Sequence, residues 1–288
     1  MRWFSGTNPK SLTAGQNPVS GAAIDYWLKE TPKTKLTLEF LDSRATVLRT
    51  YSSDPGPIDT LRTPADSIGS RIRTALKDSV AYWPADSVMS ARAGSQRFVW
   101  GMRYPEAKQL KNTVVDEGTL AGPVIPPGQY AVRLIVDADT LTRNFEVIAD
   151  PRATSTTAEL TAQAEASLRV RDRLNDLVNA ATRAEDIQAQ LDQRTTQAKG
   201  APEAKKITDE AAALRKKFEA IRTALYEVGC HADQCTLDQP IKLYNMLITL
   251  NMQLQTGDYP PTKQLREVAS STWNSSSCCC SKKPSSRP

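Results

Sequence analysis

His231 is the only histidine of the chain, and it sits in the short run Cys230-His231-Ala-Asp-Gln-Cys235. A Ser-His-Asp triad or a multi-histidine metal centre therefore has almost no material to work with. Two thiols and one imidazole could supply three zinc ligands, but adjacent Cys and His make poor geometry and no fourth ligand is fixed nearby. In an oxidising compartment, Cys230 and Cys235 could instead close a small local disulfide. Free thiols are the third reading. No metal or cofactor ligand set is assigned.

Other chemistries leave equally little trace. Ser and Asp are plentiful, but the chain has no Gly-x-Ser-x-Gly elbow to expose a nucleophile. Neither Gly-x-x-x-x-Gly-Lys nor Gly-x-Gly-x-x-Gly occurs, so the usual phosphate-cradling loops are missing. Glycoside hydrolysis asks only for two carboxylates roughly 5 to 9.5 Å apart across the sugar bond. The acidic residues here fall mostly on outer helix faces or in turns, the places where they are simply solvated. Trp83, Trp100 and Tyr104 are candidates for a sugar-stacking platform, with a core role as the competing reading. No residue is assigned as catalytic.

The elements that would position such residues divide the chain in two. At 288 residues, 40% of them hydrophobic, it is long enough for two packed cores. No apolar run approaches the roughly 18 residues of a transmembrane helix. The opening Met1-Arg-Trp-Phe has no apolar core or cleavage site of a signal peptide, so either the protein stays inside or its true N-terminus is missing. The net charge of +5 is spread evenly: residues 1–150 hold 18 basic and 16 acidic side chains, and 151–288 hold 19 and 16. Nucleic-acid recognition needs concentrated Lys and Arg and is not expected.

Residues 21–150 read as β. Ala22, Ile24, Tyr26 and Leu28 alternate, as do Leu36, Leu38 and Phe40, and the Asp42-Ser43-Arg44 turn returns the chain through Val47 to Tyr51. Residues 52–93, rich in Pro, Asp and Ser, read as an insertion with a short helix near Asp66 to Lys77. Phe98, Trp100 and Met102 align on the next strand. The turn at Pro126-Pro127-Gly128 feeds a strand with Tyr130, Val132, Leu134 and Val136 on one face, followed by another from Leu141 to Ile148. Short strands without interleaved helices predict an antiparallel sandwich.

At Asp150-Pro151 the period changes. Thr156 or Thr157 is placed to cap a long helix whose apolar residues run from Val170 to Leu191 at three- and four-residue steps. Lys199-Gly200-Ala201-Pro202 breaks it. Ile207, Ala211, Leu214, Phe218, Ile221, Leu225 and Val228 then recur at steps of 4, 3, 4, 3, 4, 3. A third helix is predicted from Pro240, with Ile241, Tyr244, Ile248 and Leu254 as its stripe. These helices predict an antiparallel bundle over 156–268. If the 207–228 seam is internal core, truncating Leu214 or Phe218 to Ala should cost roughly 2 to 5 kcal/mol. If it faces a partner, the loss should be well under about 1 kcal/mol.

Several segments together resemble the C-terminal region of bacterial secreted proteins with sortilin-like or sialidase-type β-propeller repeats, often labelled glycosyl hydrolases. They are 17–28, 36–42, 97–100 with 103–105, 126–134, Asp150-Pro-Arg152 and Pro240-Ile-Lys-Leu243, in an order covering about residues 16 to 268. The strand-turn-strand pattern is also similar to the immunoglobulin-like module of flagellar-hook-capping proteins. The chain departs from the family at Gly101, where an Asp is usual after Phe-Val-Trp, and in its tail.

The resemblance implies an α+β multidomain chain: 1–20 a linker from a missing upstream propeller, 21–150 an immunoglobulin-like β-sandwich, 156–268 an antiparallel helical bundle, and 269–288 a tail. It also implies a periplasmic or extracellular location. The expected role is a non-catalytic accessory module that braces the propeller or binds a protein or glycan partner. The alternative is a sialidase-like glycoside hydrolase, or its carbohydrate-binding part. No catalytic residue carries over, because the family's putative site lies on the propeller.

The tail from Ser270, with Cys278, Cys279 and Cys280 in a row among serines, has no helical period. It reads as an unstructured appendage or a shifted reading frame in place of a leucine-rich helix. Metal binding and palmitoylation at the three cysteines are the competing readings.

Overall fold

The computed structural model describes residues 21–54, 88–111, 113, 115, 117–227 and 237–269. Its strands are β1 (Ala22–Leu28), β2 (Thr37–Leu41), β3 (Val47–Ser52), β4 (Gly94–Trp100), β5 (Gly128–Val136) and β6 (Asp139–Val147). The helices are α1 (Thr157–Gln197), α2 (Ala204–Leu225) and α3 (Leu243–Leu254), with a further short helix at 263–269. Two compact units result. One draws on Met1–Pro105, Gly122–Ala164 and Gly257–Tyr259, the other on Glu106–Ala121, Glu165–Thr256 and Pro260–Pro288.

In the sheet unit, β1 pairs antiparallel with β4, and β3-β2-β5-β6 form an antiparallel sheet. Alternation decides what goes inside. Leu36, Leu38 and Phe40 are fully buried, while Glu39 between them meets Arg133 in cross-strand register, with Arg133 Nε 2.7 Å from Glu39 Oε2. Such opposite pairs help to hold a register. The backbone N–H groups of Arg44 and Thr46 donate to the Asp42 carboxylate at 2.9 and 2.8 Å, which shapes the β2–β3 turn. The Tyr130 hydroxyl donates to the Pro126 carbonyl at 2.7 Å and fixes the proline-rich entry to β5. Burial pushes that hydroxyl's pKa up to about 12. Gly21 has φ +146, and a Cβ there would lie 2.1 Å from the Trp100 carbonyl oxygen, so β1 can start beside the end of β4 only with glycine.

The helical unit is built on α1. Thr156 caps it as one half of a capping box: its N–H and hydroxyl donate to Glu159 Oε2 at 2.8 and 2.9 Å, and Glu159 N–H donates back to the Thr156 hydroxyl at 3.2 Å. These bonds hold the Glu159 carboxyl below its ordinary pKa. Val170, Leu174, Leu177, Val178 and Ala181 form the buried stripe of α1 and share a core with Tyr244, Leu247, Ile248 and Leu254 of α3.

Ala107 and Leu110 enter the same core from the segment at 106–121, which falls within the 21–150 bounds of the expected β region. That strap is held by side-chain amides. Asn251 donates to the carbonyls of Thr119 (2.8 Å) and Ala121 (3.1 Å), and Lys108 N–H donates to Asn175 Oδ1 at 2.7 Å. Gly118 lies against α3 so closely that a Cβ would sit 2.6 Å from the Ile248 carbonyl carbon.

The expected architecture of an immunoglobulin-like sandwich followed by an antiparallel bundle is corrected by this arrangement. The described strands number six and divide two and four, whereas an immunoglobulin sandwich needs seven or more in two sheets of three or four. The helices do not bury the expected seam either: Ile207, Leu214 and Ile221 are exposed, and Ile241 precedes α3 with its side chain in solvent. The fold is an α+β arrangement of two small antiparallel sheets and helices. The 1–20 linker, most of the 52–93 insertion with its helix, and the tail from Ser270 lie outside the described residues.

Candidate functional site

Trp100, for which the sequence left a glycan-stacking role and a core role open, is the centre of the sheet-unit core. It is 0% exposed, its ring lies 3.8 Å from that of Phe40 at an interplanar angle of 20°, and Phe145 meets it edge-on at 6.3 Å. The cause is local: Phe98 and Trp100 stand two residues apart on β4 and so share its inward face. Tyr104 is half-buried, its backbone N–H bonded to the Pro123 carbonyl at 2.9 Å. Trp83, Cys230, His231 and Cys235 lie outside the described residues, as do Cys278 to Cys280.

The most exposed aromatic side chain among the described residues of this unit is Trp27, 65% exposed on the outward face of β1. Next to it on that face, Arg97 clamps Asp25 with two bonds of 2.7 and 2.9 Å, which holds the Asp25 carboxyl below its ordinary pKa. Sequence reasoning passed over Trp27. The signal was present in the alternation, since placing Ala22, Ile24, Tyr26 and Leu28 inward forces Trp27 outward.

In the helical unit the exposed apolar surface is organised. The inward face of α2 carries buried Ala211 and half-buried Phe218 and Leu225, together with two arginines. Arg215 pairs with Asp192 of α1, and Arg222 pairs with Glu219, 2.6 Å away. Just beyond α2, the Tyr226 hydroxyl donates to Glu185 of α1 at 2.6 Å. Burial, and then the bond to Glu185, pushes the Tyr226 pKa well above its ordinary value. Residue 192 opposite 215 and residue 185 opposite 226 show that α2 runs back along α1.

With the arginines drawn inward, α2 is rolled so that only alternate members of its heptad seam are covered. Ile207, Leu214 and Ile221 remain 36%, 41% and 51% exposed. Spaced seven residues apart, they form a stripe about 21 Å long on one face. Glu203, Glu210 and Lys217, each four residues before a member of the stripe, flank it.

Such a stripe can dock an apolar partner surface but offers no acid, base or nucleophile. The lowered carboxyl pKa values among the described residues each trace to a local structural bond: Arg97 for Asp25, Thr34 for Asp137, Arg152 for Asp150 (about 2) and Thr156 for Glu159. No described helix is long and apolar enough to cross a membrane. Comparison of the chain with protein-family models, with curated proteins and with solved structures gives no match.

Proposed function

We propose that this chain is a non-catalytic interaction module whose helical unit docks a protein partner along α2. The observation that carries the reading is the exposed Ile207, Leu214 and Ile221 stripe. Apolar side chains at heptad spacing on a helix whose core contacts are made by other residues are suited to covering by a second surface. A protein partner is favoured over a glycan because Trp100 is spent in the core. On the family resemblance, the partner is the β-propeller of a secreted sortilin-like or sialidase-type repeat protein, which this module would brace in the periplasm or outside the cell.

The test is a binding titration between the full chain and such a propeller supplied separately, using the wild type and an Ile207→Glu/Leu214→Glu/Ile221→Glu variant. The variant should keep its helical circular dichroism and lose binding. Equal binding by both proteins would sink the α2 reading. Turnover of aryl glycosides or sialosides that disappears on changing one Asp or Glu to its amide would overturn the non-catalytic reading altogether.

A further inference from the structure

The helical unit holds a cavity of about 320 Å³ between α1, α3 and the 263–269 helix. Its floor is apolar and buried, formed by Val170, Leu247, Leu254 and Pro261. The lining extends over two helical turns on both α1 (Ala166 to Arg173) and α3 (Leu247 to Leu254), about 10 Å along each axis, so the space is a slot. The size lies in the range of small-molecule sites, about 300 to 1,000 Å³.

The rim is cationic. Arg169 of α1 and Arg266 of the 263–269 helix both line the cavity, are exposed, and have no ion-pair partner among the described residues. Arg173, one turn beyond Arg169, also lines the cavity and reaches Asp176 at 3.2 Å. No carboxylate lines the slot. An apolar slot rimmed by guanidinium groups from two walls suits a ligand with a linear hydrocarbon body and one anionic end. Arginine's planar fork matches a carboxylate with two parallel bonds.

We infer that this slot is a binding site for a small linear carboxylate of the fatty-acid class, with its chain along Val170, Leu247 and Leu254 and its carboxylate between Arg169 and Arg266. The inference is independent of the docking stripe on α2, which shares no residue with the slot.

Isothermal titration of the full chain with dodecanoate tests it, with dodecanol and dodecyltrimethylammonium as comparison ligands. Dodecanoate should bind saturably at one site per chain. Arg169→Gln/Arg266→Gln should weaken it by about tenfold or more, the effect of losing charge-assisted hydrogen bonds, with unchanged circular dichroism. Arg169→Lys/Arg266→Lys, which keeps the charge, should weaken it less. Absence of saturable binding, equal affinity for dodecanol, or an affinity unaltered in the glutamine variant would each overturn the assignment. Binding that the glutamine variant loses and dodecanol cannot reproduce would establish it.

Discussion

The sheet unit and the helical unit solve the same problem, burial of an apolar face, with different completeness. In the sheet unit the inward residues are consumed: Phe40, Phe98 and Trp100 are essentially inaccessible, and rings of Tyr51, Tyr130 and Phe145 pack around them. In the helical unit α1 and α3 close a core of their own, while α2 turns half of its apolar seam outward. A strand offers only two faces, so residues of one parity go in together. A helix can roll about its axis, and a wide apolar arc leaves several orientations close in energy. Polar contacts then choose among them, and for α2 these are the Arg215 pair with Asp192 and, just beyond the helix, the Tyr226 bond to Glu185.

The largest expected effect tests the closed region. Trp100→Ala should destabilise the protein by about 3 to 5 kcal/mol in denaturant unfolding, as a fully buried aromatic does. Trp27→Ala on the outward face of β1 should stay within about 0.5 kcal/mol of wild type. Similar losses from the two would contradict the inward and outward assignment.

The same contrast within the helical unit is sharper. Leu174→Ala, at a fully buried position of α1, should cost about 2 to 5 kcal/mol. Leu214→Ala should cost well under about 1 kcal/mol, because its side chain is already in contact with water. If Leu214→Ala matches Leu174→Ala, α2 is packed on its full seam in solution and the docking surface does not exist.

A smaller effect probes how α1 begins. Thr156→Ala removes a side-chain cap and should cost about 1 kcal/mol, with Thr156→Ser recovering most of it. A neutral Thr156→Ala would mean that the capping box does not form.

The smallest effect concerns the β5–β6 turn. The Asp137 carboxylate accepts the Thr34 N–H (2.8 Å), the Thr34 hydroxyl (2.9 Å) and the Lys33 N–H (3.3 Å), which hold its pKa below the ordinary value. A carboxyl with a lowered folded-state pKa adds stability that is fully present above its unfolded value, near pH 4, and is lost as pH falls through the folded value. The stability difference between wild type and Asp137→Ala should therefore shrink as the pH is taken below about 4. A difference constant from pH 6 downward would show that the carboxylate's charge is not what links Asp137 to Thr34.

The sequence by itself determined the parts of this protein in which one local pattern has one reading. The alternation of Leu36, Leu38 and Phe40, the Asp42 turn, and the Thr156-x-x-Glu159 start of α1 each contain their own physical cause. Trp27 was equally legible, since the strand parity that buries Tyr26 exposes its neighbour.

Tertiary structure decided what depends on distant partners. The 106–121 strap has no hydrophobic period to read. It is held in the helical unit by amides of Asn175 and Asn251, which lie scores of residues away in the sequence, and Gly118 permits its approach to Ile248. The seam of α2 is apolar along both of its rows, so the heptad pattern alone does not say which row is covered. Asp192 and Glu185 of α1 supply that preference by binding Arg215 and the adjoining Tyr226, and this rotation leaves Ile207, Leu214 and Ile221 in solvent.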